Sequence, residues 1–419
     1  MSMGSYQDRM LQPSSRGVIA MLALALAFVL STALIQPAQA QTYSVLYTFT
    51  GEADGGNPYG GVILDATGNL YGTTFVRGNV KGCGLFHGCG VVYKVDPSGN
   101  QTVLHTFQGN ADGRQPYFGN LFRDNAGNLF GTTVYGGFKY NIGLGVAFEI
   151  AHTGRETILH RFIGGANDGQ QPVASLILDA DGNFYGVTVA GGTDEYGTVF
   201  RMSKSGKVTV LHTFTGTDGV EPTGWLTQDA AGNFYGTAVT GGSTGDGTVF
   251  KITRTGKFTL LYTFKGAPDG SLPQGALAVD KAGNVYGATA EGGDASACPG
   301  FGCGVIFKIS NKGKESILHT FLGPDGAAPS GGVLLDAAGK LYGTTWAGGA
   351  HDQGSIFQLD KAGKLATLYS FTGGTDGGLP FSSLTEDQAG NFYGTTNLGG
   401  LANGCDYGSG CGVVFKLTP

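Results

Sequence analysis

Seven copies of one short motif set the outline of this chain. Asp-Gly-x-x-Pro begins at Asp54, Asp112, Asp168, Asp218, Asp269, Asp325 and Asp376, at intervals of 58, 56, 50, 51, 56 and 51 residues. A chain that repeats at such intervals builds one supersecondary unit per repeat and stacks the units. Three further motifs keep the same count. Aromatic-Gly-x-Thr, or a close variant, starts at Tyr71, Phe130, Tyr185, Tyr235, Tyr286, Tyr342 and Tyr393. Gly-x-apolar-aromatic occurs seven times, as in Gly197-Thr-Val-Phe200, and so does apolar-His/Tyr-x-Phe, as in Leu211-His-Thr-Phe214.

Each repeat therefore holds four short segments rich in β-branched and aromatic residues, parted by Gly and Asp turns, which reads as four strands. In the third repeat strand a is expected near Val173–Asp179, b near Asn183–Thr188, c near Gly197–Met202 and d near Val208–Phe214. Four strands per unit of this size is the pattern of an all-β, seven-bladed β-propeller with antiparallel blades. A β-solenoid is the rival, but its repeats are shorter or carry helices. The ends favour closure. Tyr43–Phe49 is a strand d with nothing before it, and Gly412–Leu417 is a strand c with no following d. Pairing them completes the last blade and removes two exposed edges.

Residues 1–40 read differently. Arg9 and Arg16 precede the apolar run Val18–Ile35, and Ala38-Gln39-Ala40 supplies a small-x-small cleavage site. This is the layout of a secretory signal, with an uncleaved anchor as the alternative. The expected domains are thus a signal peptide at 1–40 and the propeller at 41–419. With no C-terminal apolar tail, periplasm or medium is the expected location, with no membrane span after cleavage.

Composition excludes several classes. The chain has 419 residues, 41% hydrophobic and 13% charged, which argues against disorder. Its 77 glycines do not recur every third residue, so it is not collagen. A net charge of −6 offers no basic footprint for nucleic acid. The six cysteines fall in three local pairs, Cys83 with Cys89, Cys298 with Cys303 and Cys405 with Cys411. Each pair lies between strands b and c, where an exported chain forms disulfides; zinc is the rival reading.

Between strands a and b the chain reads Asp-x-x-Gly-Asn, a tight hairpin turn. A calcium loop using Asp65, Asp179 or Asp387 is the alternative, but it needs more alternating oxygens. Strand a opens on small residues such as Gly60-Gly61 and Ser382-Ser383, as a crowded axis requires, and Trp225 breaks that rule. Trp225 either plugs the channel or faces a ligand. His105, His160, His212 and His319 share a slot with Tyr47, Tyr262 and Tyr369, so that slot reads as packing and hydrogen bonding. His87, His152 and His351 fall outside it, at no metal-ligand spacing. No metal and no cofactor are expected.

The d-to-a and b-to-c connections emerge on one face. That face carries the seven Asp of the Asp-Gly motif, either as a cation- or sugar-binding mouth or as residues that shape the turn before Pro. The b–c loops have 15, 11, 8, 8, 14, 8 and 15 residues. Blades 7, 1 and 2, neighbours in a closed ring, would raise a wall bearing Arg77, Lys81, His87, Tyr135, Lys139, Tyr140 and Tyr407, the candidate binding residues.

The Gly-Asn-Leu/Phe-Tyr-Gly-Thr-Thr-x-x-Gly-Gly core at Gly68–Thr74 and Gly390–Gly400, with Gly-x-Val-Phe-Lys and Leu-His/Tyr-x-Phe-x-Gly, resembles the GloVer tandem repeat of exported bacterial "choice-of-anchor" proteins. The resemblance covers essentially all of 41–419. It implies a secreted or surface propeller and no established activity, so no catalytic residues carry over. Two functions are weighed. One is a monomeric binding module for a glycan or an extracellular protein. The other is an exported propeller enzyme, such as a polysaccharide lyase, glycosidase or lactonase. The enzyme would need unlike polar groups clustered at one mouth, and its blade-specific candidates are Glu52, Glu221, Glu291, His87 and His351.

Overall fold

The computed structural model describes residues 41–78, 83, 88–138, 143–400, 405 and 409–419. The expected signal segment lies outside them. Residues Thr42–Thr418 form one compact unit of seven antiparallel sheets. From the axis outward, the strands a to d of blade 1 are Ile63–Leu64, Leu70–Thr74, Val91–Val95 and Gln101–Thr106. Blade 2 has Phe122–Arg123, Leu129–Thr133, Val146–Ile150 and Glu156–Arg161. Blade 3 has a split strand a, Gln170–Pro172 and Ile177–Leu178, then Phe184–Ala190, Thr198–Met202 and Val208–Thr213. Blade 4 has Thr227–Gln228, Phe234–Ala238, Thr248–Ile252 and Phe258–Thr263. Blade 5 has Ser271–Val279, Val285–Glu291, Val305–Ile309 and Glu315–Thr320. Blade 6 has Val333–Leu335, Leu341–Thr345, Ser355–Leu359 and Leu365–Ser370.

Blade 7 has Thr385–Glu386, Phe392–Thr396 and Val413–Thr418, and Thr42–Thr48 supplies its strand d. The pairing runs antiparallel from Thr42 opposite Thr418 to Thr48 opposite Val413, with a bulge between Val45 and Tyr47. This is the closure that the unpaired end segments demand. Among the described residues no helix is long and apolar enough to cross a membrane.

Strand a departs from the expected length. In four of the seven blades it is only two residues long. The small residues before them wrap the axis and pack against neighbouring blades instead. A methyl added at Gly60 would lie 2.7 Å from the Gly119 carbonyl oxygen, and one at Gly119 would lie 2.9 Å from Ala174. The backbones touch across blades, so ladder pairing starts only beyond that zone.

The remaining motifs explain how the blades adhere. The Phe that ends apolar-His/Tyr-x-Phe is fully buried in all seven repeats, at Phe49, Phe107, Phe162, Phe214, Phe264, Phe321 and Phe371. Each packs edge-on against the strand-c aromatic of the next blade, as Phe107 does on Phe148 at 5.2 Å and Phe49 on Tyr93 at 5.1 Å. Burying each ring contributes about 1.5–3 kcal/mol, and the edge contact about 0.5–1.5 kcal/mol more. The Gly of aromatic-Gly-x-Thr makes room for that strand-c ring: a methyl at Gly131 would lie 2.7 Å from Phe148.

A second junction uses the Pro of the Asp-Gly motif. The residue before it adopts positive φ in every repeat (Asn57, Gln115, Gln171, Glu221, Leu272, Ala328 and Leu379), a conformation that both its Cβ and the following Pro disfavour. Its N–H donates to the preceding blade, as Asn57 does to the Cys411 carbonyl at 2.8 Å and Gln115 to the Cys89 carbonyl at 2.8 Å. The cost of each strained residue is offset by a bond that joins two blades.

The three expected disulfides are present: Cys83–Cys89, Cys298–Cys303 and Cys405–Cys411, with Cα atoms 5.0–5.3 Å apart. They clip the b–c loops of blades 1, 5 and 7 beside this junction. The a–b turns close as the sequence indicates. Asp65 accepts from Asn69 N and Nδ2 at 3.0 Å and from the Tyr71 hydroxyl at 3.0 Å. Burial alone would raise such a carboxyl. The Asn and Tyr donors outweigh it and hold Asp65, Asp179, Asp229, Asp280 and Asp387 below the usual range. At Asp65, Asp179 and Asp387 the carboxylates serve the turn.

Candidate functional site

The seven Asp of the Asp-Gly corners sit beside the outermost strands. Tyr47, Tyr262 and Tyr369 donate to Asp54, Asp269 and Asp376 at 2.9–3.1 Å. His160, His212 and His319 meet Asp168, Asp218 and Asp325 at 2.8–3.1 Å. Backbone N–H groups at the corner donate to the same carboxylates, as Thr50 does to Asp54 at 2.7 Å and Ile163 to Asp168 at 2.9 Å. Each carboxylate thus fastens its corner to strand d, which is the turn-shaping role. Blade 1 departs from this pattern: His105 Nε2 stands 3.6 Å from Asp112.

Of the candidate wall, Lys81, His87, Lys139, Tyr140 and Tyr407 lie outside the described residues. Arg77 has positive φ, and its carbonyl accepts from Gly90 N at 3.1 Å. The Tyr135 ring lies under the Arg114 guanidinium at 5.3 Å. Glu52, Glu221, Glu291 and His351 belong to four different blades, and among the described residues no hydrogen bond or ion pair joins any two of them.

The axis holds what the sequence reading left out. The residue after each Pro rings the channel entrance: Tyr59, Tyr117, Val173, Thr223, Gln274, Ser330 and Phe381. Those from blades 7, 1 and 2 are aromatic. With Phe75 and Phe118 they form a continuous half-buried crescent. Tyr59 meets Phe75 at 5.3 Å, Tyr117 at 4.8 Å and Phe381 at 6.1 Å, and Phe118 stacks on Phe381 at 4.7 Å. Burial holds the Tyr117 hydroxyl protonated far above its ordinary range.

Below the crescent the axis is closed. Trp225 is 6% exposed and fills a level where the other blades place Gly, Ala or Ser. Of its two expected roles it takes the plug. A void of about 10 Å³ remains among Phe118, Thr223, Trp225, Gln274, Gly275, Ser330 and Phe381, room for about one water. On the far side Asn120 donates to Ser383 Oγ at 3.2 Å, and Gly61 N donates to Asn120 Oδ1 at 2.7 Å, tying blades 1, 2 and 7 together. The mouth is therefore a shallow platform with a solid floor. Thr223 Oγ1 is buried at its edge with no hydrogen-bond partner. The signal for the crescent was available: aligning the repeats on Pro exposes the aromatic run.

The opposite face carries one irregularity. In six blades the aromatic-Gly-x-Thr Tyr donates to the turn Asp. In several a cation lies over its ring, as Lys251 does over Tyr235 at 5.1 Å. Blade 2 has Phe130 and Glu149 at these two positions. A cleft of about 600 Å³ opens there toward blade 3, lined among others by Phe122, Arg123, Asp124, Glu149, Phe184 and Lys204.

Fold and site together define a closed seven-bladed β-propeller with a plugged axis and an aromatic mouth on one side. The chain belongs to the Gloeobacter/Verrucomicrobia repeat family, whose model matches residues 83–300 and 295–419. No curated protein matches the sequence. Among solved structures it is similar to virginiamycin B lyase from Staphylococcus aureus, at 15% identity over 90% of this chain and 99% of that one, with a TM-score of 0.57. It is also similar to the extracellular domain of a protein described as a hybrid two component system from B. thetaiotaomicron. That likeness has 12% identity over 89% of this chain and 39% of that one, with a TM-score of 0.56. At such identities the likeness is one of fold.

Proposed function

We propose that this chain is an exported binding module that docks a glycan on the aromatic crescent of blades 7, 1 and 2. The observation that carries the reading is the crescent itself: five clustered aromatic rings on a floor that admits no tunnel. A sugar presents apolar C–H faces and polar hydroxyls. Half-buried Tyr and Phe rings match the first, and the Tyr hydroxyls match the second. The three disulfides belong to oxidising compartments, and the likeness to an extracellular domain supports export.

A glycan array followed by calorimetry on the purified chain tests this. Tyr117→Ala and Phe381→Ala should each weaken binding about five- to tenfold, whereas Ser330→Ala should leave it nearly unchanged. A silent array, or binding indifferent to both aromatic substitutions, sinks the reading. The second reading, a propeller enzyme acting on a polysaccharide or lactone, draws on the cleft of blades 2 and 3, where Asp124, Glu149, Arg123 and Lys204 share an apolar cavity. Cleavage of an oligosaccharide that Glu149→Gln abolishes would favour it.

A further inference from the structure

The sevenfold repeat supplies its own controls, and one blade boundary fails to match the others. At the outer rim each His/Tyr–Asp pair is neighboured by the strand-d residue four before the His/Tyr of the next blade. That position holds Gln101, Glu156, Val208, Phe258, Glu315, Leu365 and, at closure, Tyr43. Gln101 donates to the Asp54 carbonyl at 3.2 Å, Phe258 stacks on His212 at 3.7 Å, and Tyr43 stacks on Tyr369 at 3.9 Å. Between blades 1 and 2 the occupant is Glu156, and the pair beside it is His105 and Asp112.

There the usual hydrogen bond is lost. His105 Nε2 lies 3.6 Å from Asp112 Oδ2 and 3.5 Å from Glu156 Oε1, against 2.8–3.1 Å for the His–Asp contacts of blades 2, 3 and 5. His105 Nε2, Asp112 Oδ1 and Glu156 Oε1 are all buried atoms without a hydrogen-bond partner. Three such atoms at one point leave a large desolvation cost uncompensated. Ligand atoms of the three residues lie within 4.8 Å of one another. Ligands about 2.0–2.1 Å from a tetrahedral zinc ion are about 3.3–3.4 Å apart, close to the two measured separations and too long for hydrogen bonds.

We infer that His105, Asp112 and Glu156 form a divalent transition-metal site, suited to Zn²⁺, that bridges blades 1 and 2 and leaves a coordination position for water or a ligand. One imidazole and two carboxylates are a borderline-to-hard donor set, right for Zn²⁺ or Mn²⁺ and wrong for a thiophilic ion. Arg161 is also near, but its guanidinium donates to the Gly137 and Ala111 carbonyls. The site departs from the metal-free expectation because its third member stands in the next repeat. It is independent of the proposed glycan mouth.

Two boundaries serve as controls. Tyr262, Asp269 and Glu315 keep the Glu but lack the His, while His319, Asp325 and Leu365 keep the His but lack the Glu. Calorimetry of the purified chain with ZnCl₂ should give one site. Glu156→Gln should weaken it on the order of tenfold or more, and His105→Tyr, which installs the residue of the Tyr262 slot, should abolish it. Glu315→Gln and His351→Ala should leave it intact. Zn²⁺ should raise Tm in the parent protein and not in Glu156→Gln. Co²⁺ bound to the parent protein should show four-coordinate d–d absorption, a readout that needs no variant to fold. Absence of binding, binding indifferent to Glu156→Gln, or a six-coordinate cobalt spectrum overturns the site.

Discussion

The rim of blades 7, 1 and 2 and the rim of blades 3 to 6 are built on the same corner, yet they present different surfaces. Both use Asp-Gly-x-x-Pro, a residue of positive φ before Pro, and a bond to the preceding blade. After the Pro, the first group shows Tyr59, Tyr117 and Phe381, and the second shows Val173, Thr223, Gln274 and Ser330. The first group also has three of the four long b–c loops and two of the three disulfides, blade 5 having the others. The repeated residues hold the ring together, and the two groups differ where repetition lapses.

The sharpest way to test that division is to remove packing from each half. Trp225→Ala, in the second group, should cost about 3–5 kcal/mol of stability by chemical denaturation, since it empties a buried axial site. Phe381→Ala, half-buried on the crescent, should cost clearly less. Equal costs would mean that the crescent is core rather than platform.

The disulfides separate the halves next. Replacing Cys405 and Cys411 by Ser should cost about 2 kcal/mol, from the small loop that they close, and should also weaken ligand binding at the crescent. The same change at Cys298 and Cys303 in blade 5 should cost a similar amount and leave binding alone.

The smallest effect lies on the opposite face. Phe130→Tyr would give Asp124 the hydroxyl donor that the six other turns have, and should add about 1 kcal/mol at neutral pH. The sign with pH follows from the depressed carboxyls. Asp65, Asp179, Asp229, Asp280 and Asp387 lie below their ordinary value of 3.8 in the folded protein, so their contribution is present above that value and is lost as pH falls through the folded pKa. The gain from Phe130→Tyr should fade in the same acid range. A gain that persists there would indicate packing rather than the hydrogen bond.

Much of this architecture is legible in the sequence because its causes are local. The Asp65–Asn69–Tyr71 turn closes within seven residues, and Cys298 and Cys303 lie five apart. The closure was readable because Tyr43–Phe49 lacked a blade of its own. Strand a was overextended because its true limit is set by Gly119 and Ala174 pressing from neighbouring blades. The Asp ring admits two readings in the sequence, a mouth or a turn, and Tyr47 and His160, each a few residues upstream, hold the carboxylates in the turn-shaping role. Glu156 could not be tied to His105 by spacing alone, because the corner between them carries the chain into another blade.

The seam between Thr42–Thr48 and Val413–Thr418 has a kinetic consequence. A chain synthesised from its N-terminus releases Thr42–Thr48 long before Val413–Thr418. The first strand must therefore wait, with its N–H and C=O groups unpaired, through the synthesis of six intervening blades. The contact that finishes the ring has nearly the greatest sequence separation the chain allows, and such contacts form slowly. Until it forms, the growing protein carries an unsatisfied β-edge at each end, and a second copy offers the same complementary edge. The seam that protects the finished ring is thus also the place where two unfinished rings can join.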